Sequence, residues 1–277
     1  MIFRRDKKRR DEAEVDGGAA DLDTSEAAAV TDVDGAPATE IDANTEAEVD
    51  ASDAAAVVDL DELDAAEWRD QGPWDIDEMD PSETDEEGPR IDLGAMVLTG
   101  VPGSELRLQV AEDTQQIVSA MLIIQTPIEG EAEDGTTMSG TVTSALELGA
   151  YAAPRSGGFW PELREEISES ATEAGGSASL NEGPFGVELF RLFPVTTPEG
   201  EQGYQPSKMW VAEGPRWLLR GIVYGQAAIE ESDDSPAVAD VVSAFRKVVV
   251  RRGDEAMAPG DLLPLTMPTN LVTEDQS

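Results

Sequence analysis

Charge divides this chain before any element is assigned. Residues 1–89 hold 30 acidic and 7 basic side chains, and residues 90–277 hold 29 acidic and 12 basic. About a third of the length therefore carries more than half of a net charge of −40. The first segment has three aromatic residues, Phe3, Trp68 and Trp74, in a monotonous run of Ala, Asp, Glu and Thr. Such a stretch buries too little apolar surface to offset the entropy lost on ordering it. A disordered acidic tail is predicted over 1–89, then one globular domain over 90–268 and a short disordered C-terminus over 269–277. The remaining chain is long enough to bury a core of ordinary size.

Two absent residue types narrow the chemistry. The chain has no cysteine and no histidine. Disulfides, thiolate or imidazole metal sites, and every Ser-His-Asp or Cys-His arrangement are excluded. Catalysis would have to run on carboxylates, lysine, tyrosine or a Ser–Lys pair, and no nucleophile has a base in sequence reach. No cofactor and no specific metal site are expected. The net negative charge argues against direct nucleic-acid binding. No apolar run reaches the length of a membrane span. The N-terminal residues Met1-Ile2-Phe3-Arg4-Arg5 lead into Lys7-Lys8-Arg9-Arg10 without an apolar stretch behind them, unlike a secretory signal. A cytoplasmic location is expected.

Two features interrupt the tail. The basic cluster Arg4 to Arg10 reads either as a nucleic-acid or lipid contact, or as a solvated terminus partly neutralised by the acid behind it. Residues 60–80 place Leu60, Leu63 and Trp68 at near-helical spacing ahead of Gly72-Pro73-Trp74-Asp75. Trp68 and Trp74 either dock back on the domain or anchor a partner. Asp75, Asp77 and Asp80 suggest a calcium loop, but the motif breaks at Met79-Asp80.

The domain reads as α+β, an antiparallel sheet with two main helices packed on it. Strands are predicted over Ile91–Val97, Leu106–Val110, Gln116–Gln125, Ser144–Ala152, Ala178–Asn181, Val187–Val195, Gln205–Val211 and Trp217–Tyr224. The acidic, glycine-containing stretch 127–141 reads as an exposed insertion. One helix opens at Trp160-Pro161-Glu162, with proline and acid in its first turn, and stops at Gly175-Gly176. A second is capped by Ser235 and faces the core with Val238, Val241, Val242 and Phe245. Leu262, Leu263 and Leu265 lie in an extended segment expected to pack on the domain.

Five blocks carry a family resemblance: Arg90-Ile91-Asp92-Leu93-Gly94, Ala153-Pro154-Arg155-Ser156-Gly157-Gly158-Phe159-Trp160, Gly183-Pro184-Phe185-Gly186, Gly214-Pro215-Arg216-Trp217-Leu218-Leu219-Arg220-Gly221, and Arg252-Gly253-Asp254-Glu255 through Pro264. Together they resemble an actinobacterial family of uncharacterised proteins, a domain of unknown function. The resemblance spans about 90–267 and reaches back to Gly72-Pro73-Trp74-Asp75. It implies no established activity and transfers no catalytic residue.

Three arginines are candidate ligand contacts. Arg155 sits in a glycine-rich loop before a helix start, which suits an anion but lacks the pattern of a phosphate-binding loop. The alternative is a tight turn with Arg155 paired to a carboxylate. Arg216 and Arg220, four apart in an expected strand, would share a face beside Trp217. They would hold an acidic ligand or the segment Asp75–Asp80, or pair across strands. The leading functional reading is a non-enzymatic interaction or regulatory module with an unidentified protein partner. The alternatives are a binder of, or enzyme on, a small anionic ligand at Arg155, Arg216 and Arg220, and an acidic decoy for a basic nucleic-acid-binding protein.

Overall fold

The computed structural model describes residues 59–79, 89–111, 114–131, 137–196, 200 and 202–268. The disorder expected for 1–58, 80–88 and 269–277 falls outside the described residues. In chain order the elements open with α1 (Leu60–Ala65), β1 (Trp74–Asp75), β2 (Arg90–Asp92), β3 (Met96–Thr99) and β4 (Glu105–Val110). Next come β5 (Ile117–Glu131), β6 (Thr137–Ala152), α2 (Trp160–Glu173), β7 (Ser177–Gly183) and β8 (Gly186–Thr196). The last are β9 (Gln202–Gly214), β10 (Trp217–Gly225), α3 (Gln226–Ile229), α4 (Pro236–Arg246) and β11 (Val249–Val250).

The α+β expectation holds. Seven strands form one antiparallel sheet in the order β4-β5-β6-β10-β9-β8-β7. Its central strand β10 is apolar nearly throughout (Trp217-Leu218-Leu219, then Ile222-Val223) because both sheet faces are covered. Leu219 and Val223 join one core cluster with Val238, Val241 and Phe245 of α4. Leu218 and Ile222 join a second with Trp160, Leu163 and Ile167 of α2. Successive strand residues point to opposite faces, so the two main helices lie on opposite sides of the sheet. Gly221 lies opposite Leu148 and Trp210, and a methyl group there would come within 2.7 Å of the Phe245 ring. A second sheet, β1-β11-β3-β2, shares the α4-side core through Met96, Leu98 and Val250.

Helix ends follow their local chemistry. The Ser235 hydroxyl accepts from Val238 N at 3.3 Å to cap α4. At the end of α2, Gly175 takes φ +83° while Gly176 N donates to Ala171 O and Gly175 N to Thr172 O. Those two bonds satisfy carbonyls the helix leaves open.

Several expectations need correction. Ile91–Val97 is two short strands: Gly94 (φ +83°) reverses the chain, and the Asp92 carboxylate accepts from Gly94 N at 2.8 Å. The stretch 127–141 is exposed as expected at residues 127–130 and 138–141, but those residues are strand, since β5 and β6 pair from Ala120↔Leu148 out to Glu131↔Thr137. Threonines 137, 141 and 143 with Ile128 and Val142 supply the β preference that outweighs the glycines and acids. The terminal leucines pack as expected: Leu263 is fully buried, and Leu263 N donates to Ala150 O at 2.8 Å.

Candidate functional site

The segment 59–79 is held on the domain by contacts that begin with a short helix. The Asp59 carboxylate caps α1 by accepting from Glu62 N, and Leu63 turns inward. Trp68 folds back over the helix end, its indole Nε1 donating to Leu63 O at 2.7 Å. Asp64 makes a two-pronged pair with Arg164 of α2, at 2.6 and 2.7 Å. Further on, β1 runs parallel to β11, with Trp74 opposite Val249 and Asp75 opposite Val250.

The buried Asp75 is the deepest anchor. Its carboxylate accepts from Trp217 Nε1 at 2.6 Å and from Asp77 N at 2.9 Å. Leaving a buried indole N–H unmet is costly, so this bond ties the segment to the centre of the sheet. Over the same indole ring lies the Arg69 guanidinium, 5.4 Å from the ring centre, itself forked onto Glu78 at 2.6 and 2.8 Å. That fork lowers the Glu78 pKa and raises that of Arg69, against the opposing effect of burial.

A groove of about 540 Å³ runs between this segment and the sheet. Leu63, Trp68, Trp160, Phe185 and Val211 give it apolar walls. A second hollow of about 620 Å³ shares Glu67, Trp68 and Asp70 with the first and adds Glu182, Asp233 and Arg246. Glu67, Asp70, Glu182 and Asp233 are all exposed, so four carboxylates edge the apolar walls around Trp68, alongside two arginines, Arg69 held by Glu78 and Arg246 lying 5.6 Å from the Phe185 ring centre. Gly186 is required here: its φ is +90°, and any Cβ would strike the Trp68 indole at 2.8 Å.

The three arginines expected from sequence fall in different elements: two turns and one strand. Arg155 is exposed in the turn before α2. The anion position at that helix start is taken by the chain itself, where Glu213 of β9 accepts from Gly158 N and Trp160 N, both at 2.7 Å. A carboxylate so placed satisfies orphan N–H groups and the helix dipole together. Arg216 is not in the strand. It takes φ +65° in the turn before β10, and its Nη2 donates to Gly253 O at 3.4 Å. Arg220 lies inside β10, buried, with its guanidinium 5.2 Å from the Tyr151 ring centre. The positive φ at Arg216 breaks the alternation that was to align the two. The Asp75 segment docks on Trp217, the residue after Arg216.

Trp68 and Trp74 both lie in the docked segment; Trp74 is half-buried and its backbone N–H donates to Val248 O at 2.9 Å. Sequence reasoning missed Phe185, Glu213 and Glu188. Glu188 is buried, accepts from Trp210 Nε1 at 2.5 Å and lies 3.8 Å from Lys208 Nζ, which also donates to Glu230 O. Burial pushes its pKa up. Phe185 was visible as a family block but not as a wall, because its contacts with Trp210 and Phe245 join distant strands and a helix.

No curated protein and no solved structure matches the chain at a significant level. Among the described residues no helix is long and apolar enough to cross a membrane. A sequence profile matches residues 72–274, a span that begins inside the docked segment at Gly72 and includes the whole of both sheets. That profile is described as "Protein of unknown function (DUF3710)", and the chain belongs to this family.

Proposed function

We propose that the protein is a cytoplasmic interaction or regulatory module that takes a basic, extended protein segment in the groove beside Trp68. One observation carries the reading: apolar walls containing Trp68 and Phe185 meet a rim bearing Glu67, Asp70, Glu182 and Asp233. An arginine or lysine side chain has a long apolar stem and a charged head. The stem suits such walls and the head suits such a rim. A cation over an indole face gains a further contribution when partly desolvated. The small-anion reading has less support, since Glu213 fills the helix terminus and Arg220 stacks on Tyr151.

The test is a titration of the full chain with a synthetic peptide carrying four Lys/Arg residues and one Phe, followed by calorimetry. Binding is expected to weaken by about tenfold between 50 and 300 mM salt, as for a contact screened by counterions. Trp68→Ala and the pair Glu67→Lys/Asp70→Lys should each remove it, and a peptide of reversed charge should not bind. Equal binding by the groove variants, or none by the wild type, would sink the reading.

A further inference from the structure

We propose that the groove's resident occupant is the chain's own N-terminal segment, Met1 to Arg10, docked in cis as a pseudo-ligand. This rests on the groove being a site for basic segments, and goes further by naming which segment. Three observations converge. Ile2 and Phe3 stand directly beside Arg4, Arg5, Lys7, Lys8, Arg9 and Arg10, so one short stretch supplies both an apolar anchor and the cations the rim calls for. Six of the chain's 19 basic residues fall in these ten positions, which makes them the densest positive charge available to a rim of carboxylates.

The third observation is the point of attachment. The chain enters the described residues at Asp59, the cap of α1, and Leu63 of that helix lines the groove. The 48 residues from Asp11 to Val58 are a tether whose greatest possible reach is about 160 Å. Tethering at that length supplies an effective concentration on the order of a millimolar. An intrinsic affinity of about 100 µM then keeps the segment docked roughly nine-tenths of the time. The acidic run Asp11, Glu12, Glu14 and Asp16 competes for the same cations. It has no aromatic ring, whereas the groove adds Trp68 and an apolar wall for Phe3. A partner's basic segment would displace this occupant and would bind more weakly for having to do so.

The absence of cysteine makes the experiment direct, because Asp11→Cys in the full chain accepts a single nitroxide. Amides of Asp70, Glu182 and Gly186 should lose about threefold or more of their signal intensity when the label is oxidised. The loss should vanish at about 0.5 M salt, where the Debye length falls to roughly 4 Å. It should vanish equally in Glu67→Lys/Asp70→Lys and in Arg4→Glu/Arg5→Glu/Arg9→Glu/Arg10→Glu, two variants changed on opposite sides of the contact. Attenuation seen only when spin-labelled chain is mixed with isotope-labelled chain would mean docking between copies and overturn the cis proposal. No attenuation at the groove also overturns it. Adding the free basic peptide to that sample then separates the two claims: peptide-induced shifts at Gly186 keep the groove as a binding site, and unchanged spectra remove both.

Discussion

At the scale of single residues, Glu188 shows how burial without full compensation leaves a measurable signature. The carboxyl has an indole N–H and a lysine nearby, yet desolvation is the largest influence and its pKa rises. A carboxyl whose folded pKa lies above its unfolded value favours the fold in its neutral form. Its contribution is therefore most favourable below the ordinary carboxylate range and declines as pH rises through the folded pKa. Glu188→Gln keeps an acceptor for Trp210 Nε1 and removes the charge, while Lys208 retains Glu230 O. Thermal melts should show the variant gaining on wild type more at pH 7 than at pH 4. A difference that is constant with pH would mean Glu188 titrates the same way folded and unfolded.

At the scale of elements, α2 depends on a residue from outside itself. Its N-cap is Phe159, which has no side-chain acceptor to offer. Glu213 supplies that acceptor from the end of β9, 53 residues away from Trp160. Glu213→Ala should cost about 1–2 kcal/mol, the range for losing a helix cap with its dipole interaction. The same variant should gain something the wild type lacks. With the carboxylate gone, sulfate has the two N–H groups to bind, and the melting temperature should rise with sulfate in the variant alone. If sulfate stabilises both proteins equally, Glu213 is not the group that fills this position.

At the scale of the molecule, ion pairs between arginine and carboxylate hold the peripheral pieces in shape around the core. Arg69–Glu78 closes the docked segment, and Arg251 holds the β2–β3 hairpin through Asp92 at 3.0 Å. Hydrogen bonds from these arginines lower both carboxyl pKa values. A depressed folded pKa gives stability that is present above the unfolded value and lost as pH falls through the folded one. Below about pH 4, where carboxyls of ordinary pKa protonate, both fastenings weaken while the apolar centre of the seven-stranded sheet is untouched. Hydrogen exchange should therefore show amides in 59–79 losing protection on acidification before those of β10. Simultaneous loss in both regions would mean that the segment and the sheet unfold as one unit.

What the sequence determined by itself was everything that rests on local pattern. The strand periodicity of Leu106–Val110, the proline and acid opening α2, the glycines closing it and the serine capping α4 act within a few residues. Each was therefore legible. The α+β class follows from their succession, and the blocks from Arg90 to Pro264 pointed to a family of unknown function. The structure decided what depends on residues far apart in the chain. The apolar demand of Trp68 and Trp74 was plain, but only the fold shows Asp75 meeting Trp217 across 142 residues. Arg216 and Arg220 are correctly spaced for a shared strand face, yet the two-residue turn joining Gly214 to Trp217 takes Arg216 out of the strand at φ +65°. The groove beside Trp68 is built from four separate stretches of chain. No window of sequence contains it, because its walls are apolar residues that any core would use, and only their placement leaves a space between them.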